Sequence, residues 1–131
     1  KDEFGRVDDC RAEIGFARER AADYGLITDG LKEGIFPLRV THNDTKLNNI
    51  ILDPETGEGR CVIDLDTVMP GSLLYDFGDA IRYGAATAAE DEEDLSRVSV
   101  DADYFAAFAE GFSDGVGKSM TPAERRGMLP D

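Results

Sequence analysis

Two short apolar runs, Asn49-Ile50-Ile51-Leu52 and Cys61-Val62-Ile63-Asp64-Leu65, are separated by Pro54-Glu55-Thr56-Gly57-Glu58-Gly59, a stretch of turn-forming residues. Apolar runs of this length on either side of proline and glycine read as a β-hairpin. A hairpin returns its two ends to one place. The segment before Asn49 therefore becomes a neighbour of the segment after Ile63. The first of these segments is Thr41-His42-Asn43-Asp44-Thr45-Lys46-Leu47-Asn48-Asn49, and the second is Asp64-Leu65-Asp66. The fold must bring Asp44, Asn49 and Asp64 into one small region.

Two carboxylates and an amide oxygen are hard donors of the kind that suits Mg2+. Lys46 adds a positive point charge of the type that phosphate groups recruit. Phosphoryl transfer needs a base for the acceptor hydroxyl, a metal ion on the phosphate oxygens and a cation for developing charge. In the catalytic loop of protein kinases the base Asp precedes the metal-binding Asn by five positions, the spacing of Asp44 and Asn49 here. Taken alone, Asn43-Asp44-Thr45 is also ordinary turn chemistry, and Asp64 is also a plausible strand end. The two segments in this order favour the kinase reading. A calcium loop over Asp53–Asp64 fails, because its sixth position is Glu58 instead of glycine and its second is Pro54.

The ordered set His42-Asn43-Asp44 to Asn49, Ile63-Asp64-Leu65-Asp66 and Tyr75-Asp76-Phe77-Gly78-Asp79 resembles the aminoglycoside phosphotransferase and choline kinase superfamily. Its wording is most similar to the N-acetylhexosamine 1-kinase branch. The resemblance is strong over residues 37–84 and looser at the phenylalanine-rich helix and Thr121-Pro122. It implies a protein-kinase-like fold with ATP as co-substrate and Mg2+ as metal. It implies that Asp44 is the catalytic base, that Lys46 lies near the transferred phosphate, and that Asn49 and Asp64 bind metal and nucleotide phosphate. It gives His42, Asp66 and Asp76 supporting roles. Asp79 reads as structural, and Arg82 as a partner of Asp79 or of a more distant acid.

The expected fold class is α+β: a mainly helical, kinase-like C-terminal lobe whose short hairpin carries the catalytic and metal-binding loops. Residues 1–131 are expected to be one catalytic-lobe domain of a phosphotransferase. The resemblance places a nucleotide lobe before it and further helices after it. No glycine-rich strand-loop-strand with a lysine precedes residue 37, so these residues by themselves are expected to be inactive. The expected reaction is phosphoryl transfer from ATP to a small-molecule hydroxyl, with the 1-OH of an N-acetylhexosamine as first choice. Aminoglycosides and choline-like alcohols are the rival acceptors, and a non-catalytic, kinase-derived binding module is the alternative from another class.

Around this centre, periodicity predicts a helix over 8–24 capped by Asp8 and stopped by Gly25, a loop over 26–37, a strand at 38–41, and helices over 75–84 and 102–113. Tyr104, Phe105, Phe108 and Phe112 are expected to pack into the core, and Thr121-Pro122-Ala123-Glu124 to open a further helix. Glu90-Asp91-Glu92-Glu93-Asp94 reads as a solvated loop.

Charge bounds the partners. With 28 acidic against 14 basic residues the net charge is −14, which disfavours nucleic acid and anionic membrane. Two cysteines, Cys10 and Cys61, and one histidine are too few for a four-ligand structural zinc. Two unpaired thiols suit a reducing, cytoplasmic compartment, while two cysteines are also enough to form one disulfide. No transmembrane run and no signal-peptide pattern after Lys1-Asp2-Glu3-Phe4 is present.

Overall fold

A computed structural model describes residues 2–128; Lys1, at the head of the N-terminal pattern, and the end of the expected catalytic-lobe domain beyond Met128 lie outside the described residues. The fold is α+β and kinase-like, with five helices and two small antiparallel strand pairs among the described residues. The chain forms two compact units, one ending at Ile35 and one beginning at Phe36.

In the first unit, α1 spans Arg11–Glu19 and α2 spans Leu26–Lys32. The expected helix over 8–24 is therefore shorter at both ends. Asp8 pairs with the Arg11 guanidinium and does not cap, and the helix begins after Cys10 without a side-chain cap. Residues 26–37, expected as a loop, contain α2. Gly25 begins that helix where it was expected to end the previous one. A Cβ at Gly25 would lie 2.5 Å from Asp29 Oδ2, so glycine leaves room for the Asp29 side chain to fold back over the first turn. Asp29 also pairs with Lys32 at 2.8 Å, a local i,i+3 contact.

The second unit is built on α3, Leu73–Gly84. Ser72 caps it by accepting from Leu74 N at 3.2 Å. Leu74, Phe77 and Ala80 are buried along one face, and the Phe77 ring meets Phe112 of α4, Ala102–Val116, at 5.2 Å between centroids. Each large apolar side chain buried in this way contributes about 1.5–3 kcal/mol. The α4 stripe differs from expectation at one residue. Phe105, Phe108 and Phe112 are partly buried at i, i+3 and i+7, whereas Tyr104, one position off that stripe, is 62% exposed.

Strand β1, Arg39–Thr41, pairs antiparallel with β4, Met69–Gly71, with Val40 opposite Pro70. Strands β2, Ile50–Leu52, and β3, Gly59–Val62, form the expected hairpin, with Ile50 opposite Val62 and a register shift at Ile51/Leu52. Its turn is closed by Asp53, which accepts from Glu55 N and Thr56 N at 3.0 and 2.9 Å, and by Gly57 at φ 74°.

Helix α5, Pro122–Gly127, starts with the expected capping box: Thr121 Oγ1 accepts from Glu124 N at 3.2 Å and Glu124 accepts from Thr121 N at 2.8 Å. Glu124 also receives Arg39 Nε at 2.6 Å, tying α5 to the strand that leads into the loop at 42–49. No described helix is long and apolar enough to cross a membrane.

Candidate active site

The loop between β1 and β2 owes its shape to side chains far away in sequence. Asn43 sits at φ 63° and Asp64 at φ 60°, left-handed conformations that asparagine and aspartate tolerate better than other side chains. Such conformations persist where surrounding contacts over-determine them. Around Asn43 the contacts come from α3. The Asp76 carboxylate accepts from His42 N at 2.9 Å and Asn43 N at 2.8 Å. Asp79 accepts from Thr45 N at 2.7 Å, and Tyr83 donates to the Asn48 side chain at 2.7 Å. Positions 76, 79 and 83 share one helix face, so a single turn-by-turn row grips the loop at successive points.

His42 joins the two halves of the site. Its Nδ1 accepts from Asp44 N at 3.3 Å, which leaves the proton on Nε2 to donate to Ile63 O at 3.0 Å. The ring thus ties the residue before Asp64 to the backbone of Asp44. A backbone bond from Ile63 N to Asn49 O at 2.9 Å closes the same junction, where the two ends of the hairpin meet.

Asp44 is partly buried and doubly held. Asn49 donates Nδ2 to Asp44 Oδ2 at 3.0 Å and to Asp44 O at 2.9 Å, and Lys46 Nζ lies 3.3 Å from Asp44 Oδ1. Burial pushes the Asp44 pKa up, but hydrogen bonds from Lys46 and Asn49 and the Lys46 charge outweigh it, so the net shift is downward. Lys46 is held above the usual lysine range by its hydrogen bond to Asp44 and by the charges of Asp44, Glu90 and Asp79.

Asp64 goes the other way. Its pKa is raised first by the hydrogen bond and charge of Asp66, then by burial and by the charge of Asp44. The charges of Asp66 and Asp44 thus both act on Asp64, a field that a bound cation would offset. Among the described residues no three His, Cys, Asp or Glu side chains form a metal cage by themselves. The candidate pair instead combines one carboxylate with the amide of Asn49, a buried residue. With the Asn49 nitrogen directed to Asp44, its carbonyl oxygen is the atom a hard cation would take.

The Phosphotransferase enzyme family matches residues 7–118, most of the chain. This chain belongs to that family. Phosphotransferase-family chemistry is phosphoryl transfer between a nucleotide and a small molecule, and kinases of this family use ATP, typically with Mg2+. The matched span includes His42, Asp44, Lys46, Asn49, Asp64, Asp66 and Asp76, all of them singled out by sequence. Asp66 stands beside Asp64 in charge, and Asp76 is a backbone clamp.

Sequence reading missed Thr45 and Tyr83 and saw no specific task for Asp79. A usable signal exists: in Asp76-Phe77-Gly78-Asp79-Ala80-Ile81-Arg82-Tyr83, polar groups recur at i, i+3 and i+7, the helical spacing that defines one face. Arg82 has both partners anticipated for it, Asp79 at 3.1 Å and Glu90 at 2.7 Å.

Proposed function

We propose that this chain provides the catalytic lobe of an ATP- and Mg2+-dependent kinase that phosphorylates a small-molecule hydroxyl, with the anomeric 1-OH of an N-acetylhexosamine as acceptor. The observation that carries the reading is the double grip on Asp44. Lys46 and Asn49 hold one carboxylate oxygen each, and together they keep the group ionised and fixed in direction. An ionised, oriented carboxylate can align an acceptor hydroxyl and take its proton as the phosphoryl group moves. A weakly basic Asp suffices in a loose transition state, where catalysis is mostly positioning and charge stabilisation.

Lys46, held protonated, supplies positive charge beside the reacting group. Asn49 and Asp64 would hold the divalent cation, which when bound neutralises charge on the phosphate oxygens. The negative charge of Asp66 and Asp44 acting on Asp64 supports this assignment, since it is a field that a cation would offset. His42, Asp66 and Asp76 keep these groups in register. Two exposed, free cysteines, Cys10 and Cys61, fit a reducing cytoplasm.

The sugar assignment rests on the wording of the motifs. A second acceptor class, cationic aminoglycosides, is favoured by a different observation. A cavity of about 800 Å3 is lined by three acidic residues, Glu90, Asp91 and Glu92, against one basic residue, Arg82, together with Tyr83 and apolar side chains, within the size range of ligand pockets. A nucleotide-consumption assay on the intact protein against N-acetylhexosamines, other sugars, aminoglycosides and choline separates these acceptors. The reading expects turnover with an N-acetylhexosamine that disappears in Asp44→Ala. Turnover that survives Asp44→Ala would remove the assigned base, and nucleotide binding without any turnover would favour a non-catalytic module.

A further inference from the structure

The peptide bond between Asp44 and Thr45 is held at both ends. Its oxygen accepts from Asn49 Nδ2 at 2.9 Å, and its N–H donates to Asp79 Oδ2 at 2.7 Å. Thr45 Oγ1 donates its one proton to Asp76 O at 2.8 Å and lies 3.2 Å from the same Asp79 oxygen. Asp79 Oδ1 faces elsewhere and accepts from Arg82 Nη2 at 3.1 Å, and Arg82 Nη1 reaches Glu90 at 2.7 Å. The carboxylate is thereby locked with one oxygen turned toward the loop.

This peptide lies between Asp44 and Lys46, the two charged groups of the proposed mechanism. A peptide unit is planar and rotates as one body, so its orientation sets how the Asp44 and Lys46 side chains project relative to each other. Asn43, on the other side of Asp44, is in the left-handed region, a conformation that persists where contacts hold it. Asp76 holds the chain before Asp44; after it, Asn49 holds the oxygen end of the peptide and Asp79 holds the N–H end.

We propose that Asp79 is a positioning residue for phosphoryl transfer, fixing the Asp44–Thr45 peptide and with it the relative aim of Asp44 and Lys46. The inference rests on the function proposed above. It assigns Asp79 no contact with nucleotide, metal or acceptor. Its requirement is geometric: an oxygen acceptor at one distance from Thr45 N, with negative charge secondary. Asparagine keeps an acceptor oxygen at that distance, and glutamate keeps the charge but moves the oxygens by a methylene.

The test is steady-state turnover of MgATP by the intact protein, with its best acceptor and with water alone, in Asp79→Ala, Asp79→Asn and Asp79→Glu. Thermal stability is measured alongside. Asp101→Ala serves as the matched control, since it removes another carboxylate that accepts from backbone N–H groups, those of Asp103 and Tyr104 at 2.9 Å, away from the loop. The expected result is a kcat reduced by about 10- to 100-fold in Asp79→Ala, with KM for ATP changed by less than about threefold, the pattern expected of a geometric fault beyond the nucleotide. Asp79→Asn is expected to be more active than Asp79→Glu, and Asp101→Ala to keep the parent kcat.

An Asp79→Ala protein that folds and turns over within about threefold of the parent, on the same scale, overturns the inference. So does a Glu variant as active as the Asn variant, a comparison that decides the matter even where the alanine variant does not fold. Failure of the underlying reading looks different: Asp44→Ala keeps its turnover, or the parent protein consumes no MgATP at all, whatever the Asp79 variants do.

Discussion

Asn49 donates a single side-chain nitrogen to both the backbone oxygen and the carboxylate of Asp44, at 2.9 and 3.0 Å. A residue named by sequence as a metal ligand is also an orienter of the candidate base. Substituting Asn49→Ala therefore acts twice: it removes the proposed metal donor, and it removes one of the hydrogen bonds that hold the Asp44 pKa below its ordinary value. Asp44 stays ionised until the pH falls through its folded pKa. Losing a donor to the charged form raises that pKa, so protonation sets in at higher pH. The acid limb of the pH–rate profile of Asn49→Ala is expected to move upward, at saturating Mg2+ so that weaker metal binding is compensated. An unmoved limb would separate Asn49 from Asp44 ionisation.

The proposed base, Asp44, carries a sharper expectation. Asp44→Ala should lower kcat by about 10²–10⁴-fold, the usual range for a positioned general base. Its stability should change little, because Asp44 is partly solvated and its loop is held by other groups. Turnover and thermal melts on one preparation check both halves.

A second ion pair governs stability. Glu124 has no solvent exposure and receives Arg39 Nε and Nη2 at 2.6 and 2.7 Å. The Arg39 guanidinium is the main reason its pKa falls from 4.5 to about 2, against the opposing effect of burial. A depressed carboxylate pKa means stability that is present above the unfolded value and lost as the pH drops toward the folded one. The contribution of Glu124 is thus complete at neutral pH and erodes between about pH 4.5 and 2. Glu124→Gln should destabilise at pH 7 by about 2–3 kcal/mol, below the full figure for a buried pair because Arg39 is partly solvated. The difference from the parent should vanish near pH 2. Denaturant melts at pH 7 and near pH 2 measure it.

Local chemistry was legible and distant chemistry was not. Pro54 to Gly59 announced a turn, the Asp44-to-Asn49 spacing announced a loop, and Thr121 with Glu124 announced a capping box, because each depends on residues within a few positions of one another. Strand β4 was invisible, since Met69-Pro70-Gly71 has neither β-branched residues nor alternation and becomes a strand only by lying against β1. Helix α2 was obscured by Gly25 and Gly30, which weaken its propensity while Leu26, Ile27 and Leu31 support it. In the site, the bonds from Asp76, Asp79 and Tyr83 to the loop cross 33 to 35 residues of sequence. No short-range pattern encodes the partner of such a bond.

His42 gives a prediction rooted in its tautomer. With Nδ1 accepting from Asp44 N and Nε2 donating to Ile63 O, it is the only side chain among those described in the site that contacts both the base loop and the residue preceding Asp64. His42→Ala should lower kcat by about tenfold and weaken Mn2+ binding, while ATP affinity measured without metal stays near that of the parent. Titration calorimetry with Mn2+ reads the metal arm. Unaltered Mn2+ affinity would show that the hairpin holds Asp64 without the imidazole.

Two glycines of α3 set up opposite outcomes on one helix. A Cβ at Gly84 would lie 2.9 and 3.0 Å from two carbons of the half-buried Phe108 ring, so the ring must shift to admit it. Gly84→Ala should therefore destabilise by about 1–2 kcal/mol through overpacking. A Cβ at Gly78 would meet nothing within 4 Å, and Gly78 lies in the exposed helix interior. There alanine removes the entropic cost of glycine, and Gly78→Ala should stabilise by about 0.5–1 kcal/mol. Because α3 also carries Asp76, Asp79 and Tyr83, the same pair of variants tests how firmly the loop depends on the helix. Gly78→Ala should leave kcat unchanged, whereas Gly84→Ala, displacing the turn that bears Tyr83, should lower it along with the melting temperature. Equal stabilities for the two variants would mean that α4 yields to the added methyl and that the Phe108 contact does not fix the spacing of the two helices.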